Sequence, residues 1–83
     1  MNKYLMDAVL NCLCFLELSS EDVVRIDDAV HAIEDTAACI SLMSREEIVE
    51  FIAYAHQLGE RAMLDDNPER AGFLLTIAES IGL

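Results

Sequence analysis

The sequence contains no tryptophan, only one proline and three glycines among its 83 residues, and few aromatic side chains. So few turn-forming residues leave little material for hairpin turns or a glycine-rich phosphate loop. Runs that alternate apolar and polar residues, which are typical of half-buried strands, are also missing. The sequence therefore predicts an all-α protein.

Basic residues are scarce: there are 5 of them against 16 acidic residues, which gives a formal net charge of −11. Such a surface repels nucleic-acid backbones and anionic membranes, so we expect neither to be bound directly. The same surface attracts basic protein surfaces, including those that normally hold nucleic acid. The alternative interpretation is that the charge serves only solubility.

The sequence lacks an apolar run of about 18 residues that could span a membrane, and it lacks the basic start and cleavage pattern of a secretory signal. Its three cysteines, Cys12, Cys14 and Cys39, are odd in number and lie in apolar stretches. These features predict buried free thiols in a reduced, cytoplasmic protein.

What the sequence has in excess is apolar residues, which make up 54% of the chain. A chain of 83 residues forms a single domain, here residues 1–83, and a domain of this size has a small interior. More apolar side chains are present than such an interior easily holds. We therefore expect self-association, as a homodimer, or a permanent partner.

The stretch from Val23 to Ile40 predicts the central element of the fold. Its apolar residues recur in steps of three and four, which indicates one continuous seam on a helix. The sequence Ser19-Ser20-Glu21-Asp22 predicts the N-cap, and the helix is expected to continue to about Met43. The seam consists of Val23, Ile26, Val30, Ile33, Ala37 and Ile40.

Residues Asn2 to Leu18 predict a first helix with a narrow polar stripe of Lys3, Asp7 and Asn11. Nearly all of its other positions are apolar, and a helix that is apolar around most of its circumference is usually buried around most of it. Three further helices cannot cover it completely. We therefore predict a dimer or docking interface on this helix, formed by Leu5, Val9, Cys12, Leu13 and Leu16.

Two further helices follow from local signals. Ser44 and Glu47 have the spacing of a capping box, and Asn67-Pro68 places a cap and a proline at the start of the last helix, which Gly82 ends. The short break between them predicts an antiparallel hairpin. Its expected inward residues include Ala71, Leu74, Leu75, Ala78 and Ile81. The predicted fold is thus a compact bundle of four helices, with one long central helix.

This hairpin resembles one tetratricopeptide unit at Leu58, Gly59, Ala71 and Ala78, which fall at that family's leucine, glycine and small-residue positions. The large aromatic positions of such a unit are Ala55 and Ala62 here, the closing proline is absent and there is no second copy. We interpret the resemblance as a shared way of packing two helices closely.

His31 is the strongest candidate for chemistry, because Asp27 and Asp35 lie one helical turn to either side of it. One histidine makes at most a weak metal site, and no second Glu-x-x-His appears on another helix; His56, with Glu60 one turn on, is interpreted as a paired surface histidine. Cys12 and Cys14 are two residues apart, so on a helix they point to different faces. Without a nucleophile–base pattern as well, we predict no enzyme, no metal and no cofactor.

The acidic residues predict the working surface. They lie opposite the seam of the second helix and at the start of the third: Asp27, Asp28, His31, Glu34, Asp35, Glu46, Glu47 and Glu50. Carboxylates on a rigid helix can be spaced much as phosphates are along a duplex. We therefore expect an inhibitor or regulator that docks on a basic, nucleic-acid-binding surface of a protein partner, as phage anti-defence proteins and nucleic-acid mimics do. The alternative is an adaptor or chaperone-like module that binds through its apolar first helix.

Overall fold

The computed structural model describes all residues from Met1 to Leu83, and its only regular secondary structure is helical. The prediction of an all-α fold is confirmed. There are five helices, because the expected last helix is divided at Thr76. Their bounds are α1 Lys3–Leu18, α2 Ile26–Ser41, α3 Arg45–Leu64, α4 Pro68–Leu75 and α5 Ile77–Ile81.

One apolar core lies between the helices, and no polar or charged side chain is buried in it. Every helix contributes to this core. The radius of gyration is 12.4 Å, close to the value of about 12 Å that is usual for a folded chain of this length. The largest side chains with almost no exposure are Phe51, Leu10, Leu13, Leu74 and Ile77.

The second helix begins later than its seam predicts. The Ser20 carbonyl accepts hydrogen bonds from the N–H groups of both Val23 and Val24, at 2.9 and 3.0 Å, which closes an isolated turn. Two adjacent β-branched residues favour helix poorly, and the chain must reverse direction here. Helix α2 starts only at Ile26, after Arg25, which makes no side-chain cap. The predicted serine cap and the predicted long central helix were therefore wrong, and α3, with 20 residues, is the longest helix.

The predicted seam of α2 is buried only in its second half, where Ile33, Ala37 and Ile40 join the core. In the first half, Ala29 takes the buried position. The other three seam residues are well exposed, at 65% for Val23, 59% for Ile26 and 45% for Val30. The amphipathic pattern thus extends further along the chain than the core that covers it.

The start of α3 is as predicted. The Ser44 hydroxyl accepts a hydrogen bond from the Glu47 N–H at 3.1 Å, and the Glu47 carboxylate accepts one from the Ser44 N–H at 3.2 Å. Both bonds satisfy N–H groups that have no partner inside the helix. The capping box is confirmed.

Helices α3 and α4 form the antiparallel hairpin. The Asn67 side chain accepts a hydrogen bond from the Arg70 N–H at 3.3 Å, and Pro68 occupies the first turn of α4. A Cβ atom built on Gly59 would lie only 2.8 Å from Leu75 Cγ, so the two helices approach closely at that point. The close packing that the tetratricopeptide-like residues predict is present.

Thr76 divides the last helix. Its hydroxyl donates a hydrogen bond to the Gly72 carbonyl at 2.8 Å, a contact that bends helices, and its backbone angles are not helical. The bend brings Ile77 into the core, where it has no exposed surface. Leu75, which we expected inside, is 37% exposed. Gly82 ends α5 with a left-handed φ of 80°, as predicted.

Candidate protein-interaction surfaces

The polar stripe of α1 faces other helices. The Tyr54 hydroxyl of α3 donates a hydrogen bond to Asp7 Oδ1 at 2.6 Å, and Arg70 Nη2 of α4 donates one to Asn11 Oδ1 at 2.6 Å. The bond to Asp7, together with partial burial and the negative charge of Asp7, raises the pKa of the Tyr54 hydroxyl. These contacts set the rotation of α1 about its own axis.

Because the polar stripe is turned toward α3 and α4, the side of α1 that faces solvent is apolar. We call this surface the outer face of α1. On a helix that turns 100° per residue, its members span a continuous arc that contains no charged residue. The outer face consists of Tyr4, Leu5, Ala8, Cys12 and Phe15. Its three large side chains are well exposed, at 75% for Tyr4, 63% for Leu5 and 54% for Phe15.

The predicted interface of α1 overlaps only partly with the outer face. Leu5 and Cys12 are exposed, whereas Val9 and Leu16 are half-buried against the core. Leu13 is 1% exposed and belongs to the core, so its predicted place on the docking surface was wrong. Sequence reasoning missed Tyr4, Ala8 and Phe15. Their signal is the arc that they share on the helix, but an apolar pattern on both sides of the polar stripe does not show which side faces solvent.

An apolar groove of about 280 Å³ continues from the outer face. It lies between the end of α1 and the first two turns of α2. Six of its eight lining residues are apolar, and the other two are Glu17 and Ser19. The groove is present because the first half of the α2 seam has no other helix packed over it. The apolar lining consists of Leu16, Val24, Ile26, Ala29, Val30 and Ile33.

The predicted acidic residues are all exposed, but they form two groups. Helices α2 and α3 are joined by three residues and make almost no direct contact with each other. The α2 group lies on the side of the helix away from the core and surrounds the exposed His31; it consists of Asp27, Asp28, Glu34 and Asp35. The α3 group is Glu46, Glu47 and Glu50.

The two groups differ in their partners. The only ion pair within 4.0 Å in the protein joins the N-terminal ammonium of Met1 to Glu50, at 2.9 Å. Glu47 caps the backbone of α3. The carboxylates of the α2 group have no basic partner in the chain, which leaves their charge available to another molecule.

The structure gathers no three histidine, cysteine, aspartate or glutamate side chains that could hold a metal ion. The three thiols are free; Cys12 and Cys39 are exposed, and only Cys14 is buried as we predicted for all three. Burial raises the pKa of the Cys14 thiol, although the nearby charge of Arg70 opposes this effect. None of the helices has the length and apolar character needed to cross a membrane.

No known family model, curated protein or solved structure matches this chain significantly. The interpretation of its surfaces therefore depends on their own geometry and charge.

Proposed function

We propose that the protein is a protein-binding module that inhibits or regulates a macromolecular partner by docking the acidic α2 group on a basic surface. The observation that carries this proposal is the lack of any intramolecular ion pair for Asp27, Asp28, Glu34 and Asp35, on a helix that holds them in fixed positions. Because the helix already holds the backbone of these residues, binding does not have to order the segment that carries them, so more of the electrostatic attraction contributes to affinity.

A basic surface that normally holds nucleic acid is the partner that fits this charge. Such surfaces carry clustered lysines and arginines, and these would meet unneutralised carboxylates spaced along a helix. Docking there would exclude nucleic acid by direct competition. The binding should weaken markedly between low and physiological salt, because several exposed charges are screened together.

The test is a fourfold charge reversal, D27K/D28K/E34K/D35K, used as bait in lysate of the source cells. Its matched control, E21K/D22K/E60K/E79K, changes the net charge equally at exposed acidic residues elsewhere. We expect the parent and the control to capture the same proteins and the α2 variant to lose them, with an unchanged helical circular-dichroism spectrum. Added DNA should compete. Equal capture by the α2 variant would refute the acidic docking surface.

A second candidate function is supported by a different observation. The outer face of α1 exposes two aromatic rings and Leu5 without a charge among them, and surfaces of this kind are typical of protein docking sites. In this version the protein is an adaptor or chaperone-like module, and the charge keeps it soluble. Capture should then persist at high salt and should be lost with Phe15→Ser.

A further inference from the structure

The side chains on the outer face of α1 have a symmetric order of sizes. Large residues stand at both ends, and the small residues Ala8 and Cys12 lie in the middle. Within the outer face, Leu5 and Phe15 are equally far in sequence from Leu10, and so are Ala8 and Cys12. Tyr4 is as far from Leu10 as the half-buried Leu16, which lies at the edge of the outer face. Leu10 has no exposed surface and marks the centre of the buried side. The centre of the outer face therefore lies directly opposite Leu10.

In an antiparallel dimer the twofold axis is perpendicular to both helices and lies between them, at the height of Leu10. Rotation about this axis reverses height along the helix and keeps each residue on its own side of the interface. At 100° per residue, Tyr4 and Phe15 lie on one side of the mid-line of the outer face, and Leu5 and Leu16 lie on the other. The rotation therefore brings Tyr4 to Phe15 of the partner subunit and Leu5 to Leu16 of the partner subunit. Large residues meet large residues at both ends and small residues meet at the axis, which an isologous dimer interface can accommodate.

We propose that the outer face of α1 binds a second copy of this chain, with the two α1 helices antiparallel about a twofold axis opposite Leu10. In this arrangement Ala8 lies against Cys12 of the partner subunit near the axis, Tyr4 against Phe15 of the partner subunit, and Leu5 beside Leu16 of the partner subunit. The small residues at the axis allow the helices to approach closely, and the large residues fill the space on either side. This inference does not depend on the acidic docking surface.

The apolar groove provides a site for Leu5, which is 63% exposed. Leu16 lines the groove, so the side chain of Leu5 of the partner subunit would enter between α1 and α2. A cavity of about 150 Å³ is enough to hold a benzene ring, and this groove measures about 280 Å³, so a leucine side chain fits in it.

The exposed area fits a modest dimer. A full aromatic side chain buries about 150–250 Å², so the rings of Tyr4 and Phe15, at 75% and 54% exposure, offer roughly 250 Å² per chain. Two chains contribute about 500 Å² from rings alone, and Leu5 and the groove add to this. Stable interfaces bury about 1,200–2,000 Å² in total. The interface is thus at the small end for specific association, and we expect a weak dimer with a dissociation constant on the order of 10 μM.

Charge also favours a second copy at this face. Each chain carries a net charge of −11, so two copies repel everywhere except where the surface is uncharged. The outer face of α1 is such a surface. Salt screens the repulsion between the remaining charges, so dimerisation should become tighter as salt is raised. Docking of the acidic α2 group should respond to salt in the opposite direction, which separates the two surfaces experimentally.

The register is tested by cross-linking two different variants. One is C39S, which keeps Cys12; the other is A8C/C12A/C39S, which moves the outer thiol to position 8. Cys14 is buried and stays in both. In the proposed dimer only a mixed pair brings the two outer thiols together. Two copies of residue 8, or two copies of residue 12, would be about 6 Å apart along the helix direction. Together with the separation between the helices, this distance is too long for the two Cβ atoms of a disulfide.

We expect mild oxidation to give a disulfide-linked pair in the mixture and in neither variant alone. If each variant instead cross-links with itself, the helices are parallel and the proposed register is overturned. Absence of any cross-link in the mixture would also contradict it.

Sedimentation provides the second measurement. Phe15→Ser should weaken dimerisation at least tenfold, whereas Leu64→Ser, at a residue that is 89% exposed and lies elsewhere, should leave it unchanged. Equal effects would contradict the assignment of the interface. A parent chain that stays monomeric at about 100 μM, well above the expected dissociation constant, would overturn the proposal and leave the face to a different protein.

Discussion

The two helical hairpins of this protein differ in how closely their helices pack against each other. Helices α3 and α4 are joined by only three residues and approach closely where Gly59 meets Leu74 and Leu75. Helices α1 and α2 are joined by seven residues that include an isolated turn, and an open groove remains between them. The hairpin of α3 and α4 covers the apolar surface between its helices, whereas the hairpin of α1 and α2 leaves much of its apolar surface exposed.

The difference shows how a small protein can have both a stable interior and a surface for association. Small residues let α3 and α4 bury their contact within the chain. In α1 the polar residues Asp7 and Asn11 are used to contact α3 and α4, so the apolar residues left over point outward. An apolar surface of this kind is expected to be covered by another molecule.

The largest expected effect comes from the core that the two hairpins share. Leu10→Ala and Ile33→Ala should each reduce the free energy of unfolding by about 2–5 kcal/mol, because both remove buried methyl groups and leave a cavity. Chemical denaturation of a dilute, monomeric sample measures this. Glu34→Ala, on the exposed side of α2, should change it by about 0.5 kcal/mol or less. A loss for Glu34→Ala as large as that for Ile33→Ala would mean that α2 is rotated from the orientation described.

A smaller effect tests how closely α3 and α4 pack in their hairpin. Gly59→Ala should destabilise by about 1–3 kcal/mol, because the new Cβ atom would lie 2.8 Å from Leu75 Cγ and 3.2 Å from Leu74 Cβ. Leu75 can rotate away, but Leu74 Cβ is fixed by its backbone. Thermal denaturation of both the variant and its parent gives the comparison.

The matched control for this prediction is Gly72→Ala on α4. Nothing lies within 4 Å of the added Cβ atom there, and alanine favours helix over glycine. We expect a gain of about 0.4–1 kcal/mol. If both substitutions stabilise the protein, α3 and α4 are not as close as described.

The smallest effect concerns the contact that joins α1 to α3. The hydrogen bond to Asp7 raises the pKa of Tyr54, so this contact stabilises the fold at neutral and mildly alkaline pH, below the ordinary tyrosine pKa of about 10. The stabilisation is lost as the pH rises through the raised value. In a Tyr4→Phe background, absorbance titration should show Tyr54 ionising above its usual range. Asp7→Asn should move that pKa back toward normal, and no change would indicate that the contact is absent in solution.

Much of the helical framework could be predicted from local sequence. The capping box at Ser44, the Asn67-Pro68 start and the glycine end at Gly82 were all identified correctly, because each depends on residues at most a few positions apart. The start of α2 and the bend at Thr76 were missed. Both depend on where the chain must turn so that its apolar residues reach a common core.

The candidate surfaces could be predicted less well. The acidic residues were correctly expected on the exposed side of their helices, since charged groups remain hydrated. The outer face of α1 was only partly identified. Leu13 was assigned to it and lies in the core, whereas Tyr4 and Phe15 are exposed.

The amino-acid sequence by itself determined the helical class, most helix ends and the acidic character, because these follow from short-range hydrogen bonds and from composition. Only the tertiary structure decided which side of α1 faces solvent. That helix is apolar on two sides, so periodicity does not choose between them. The choice depends on Tyr54 and Arg70, which bond to its polar stripe from 47 and 59 residues away along the chain.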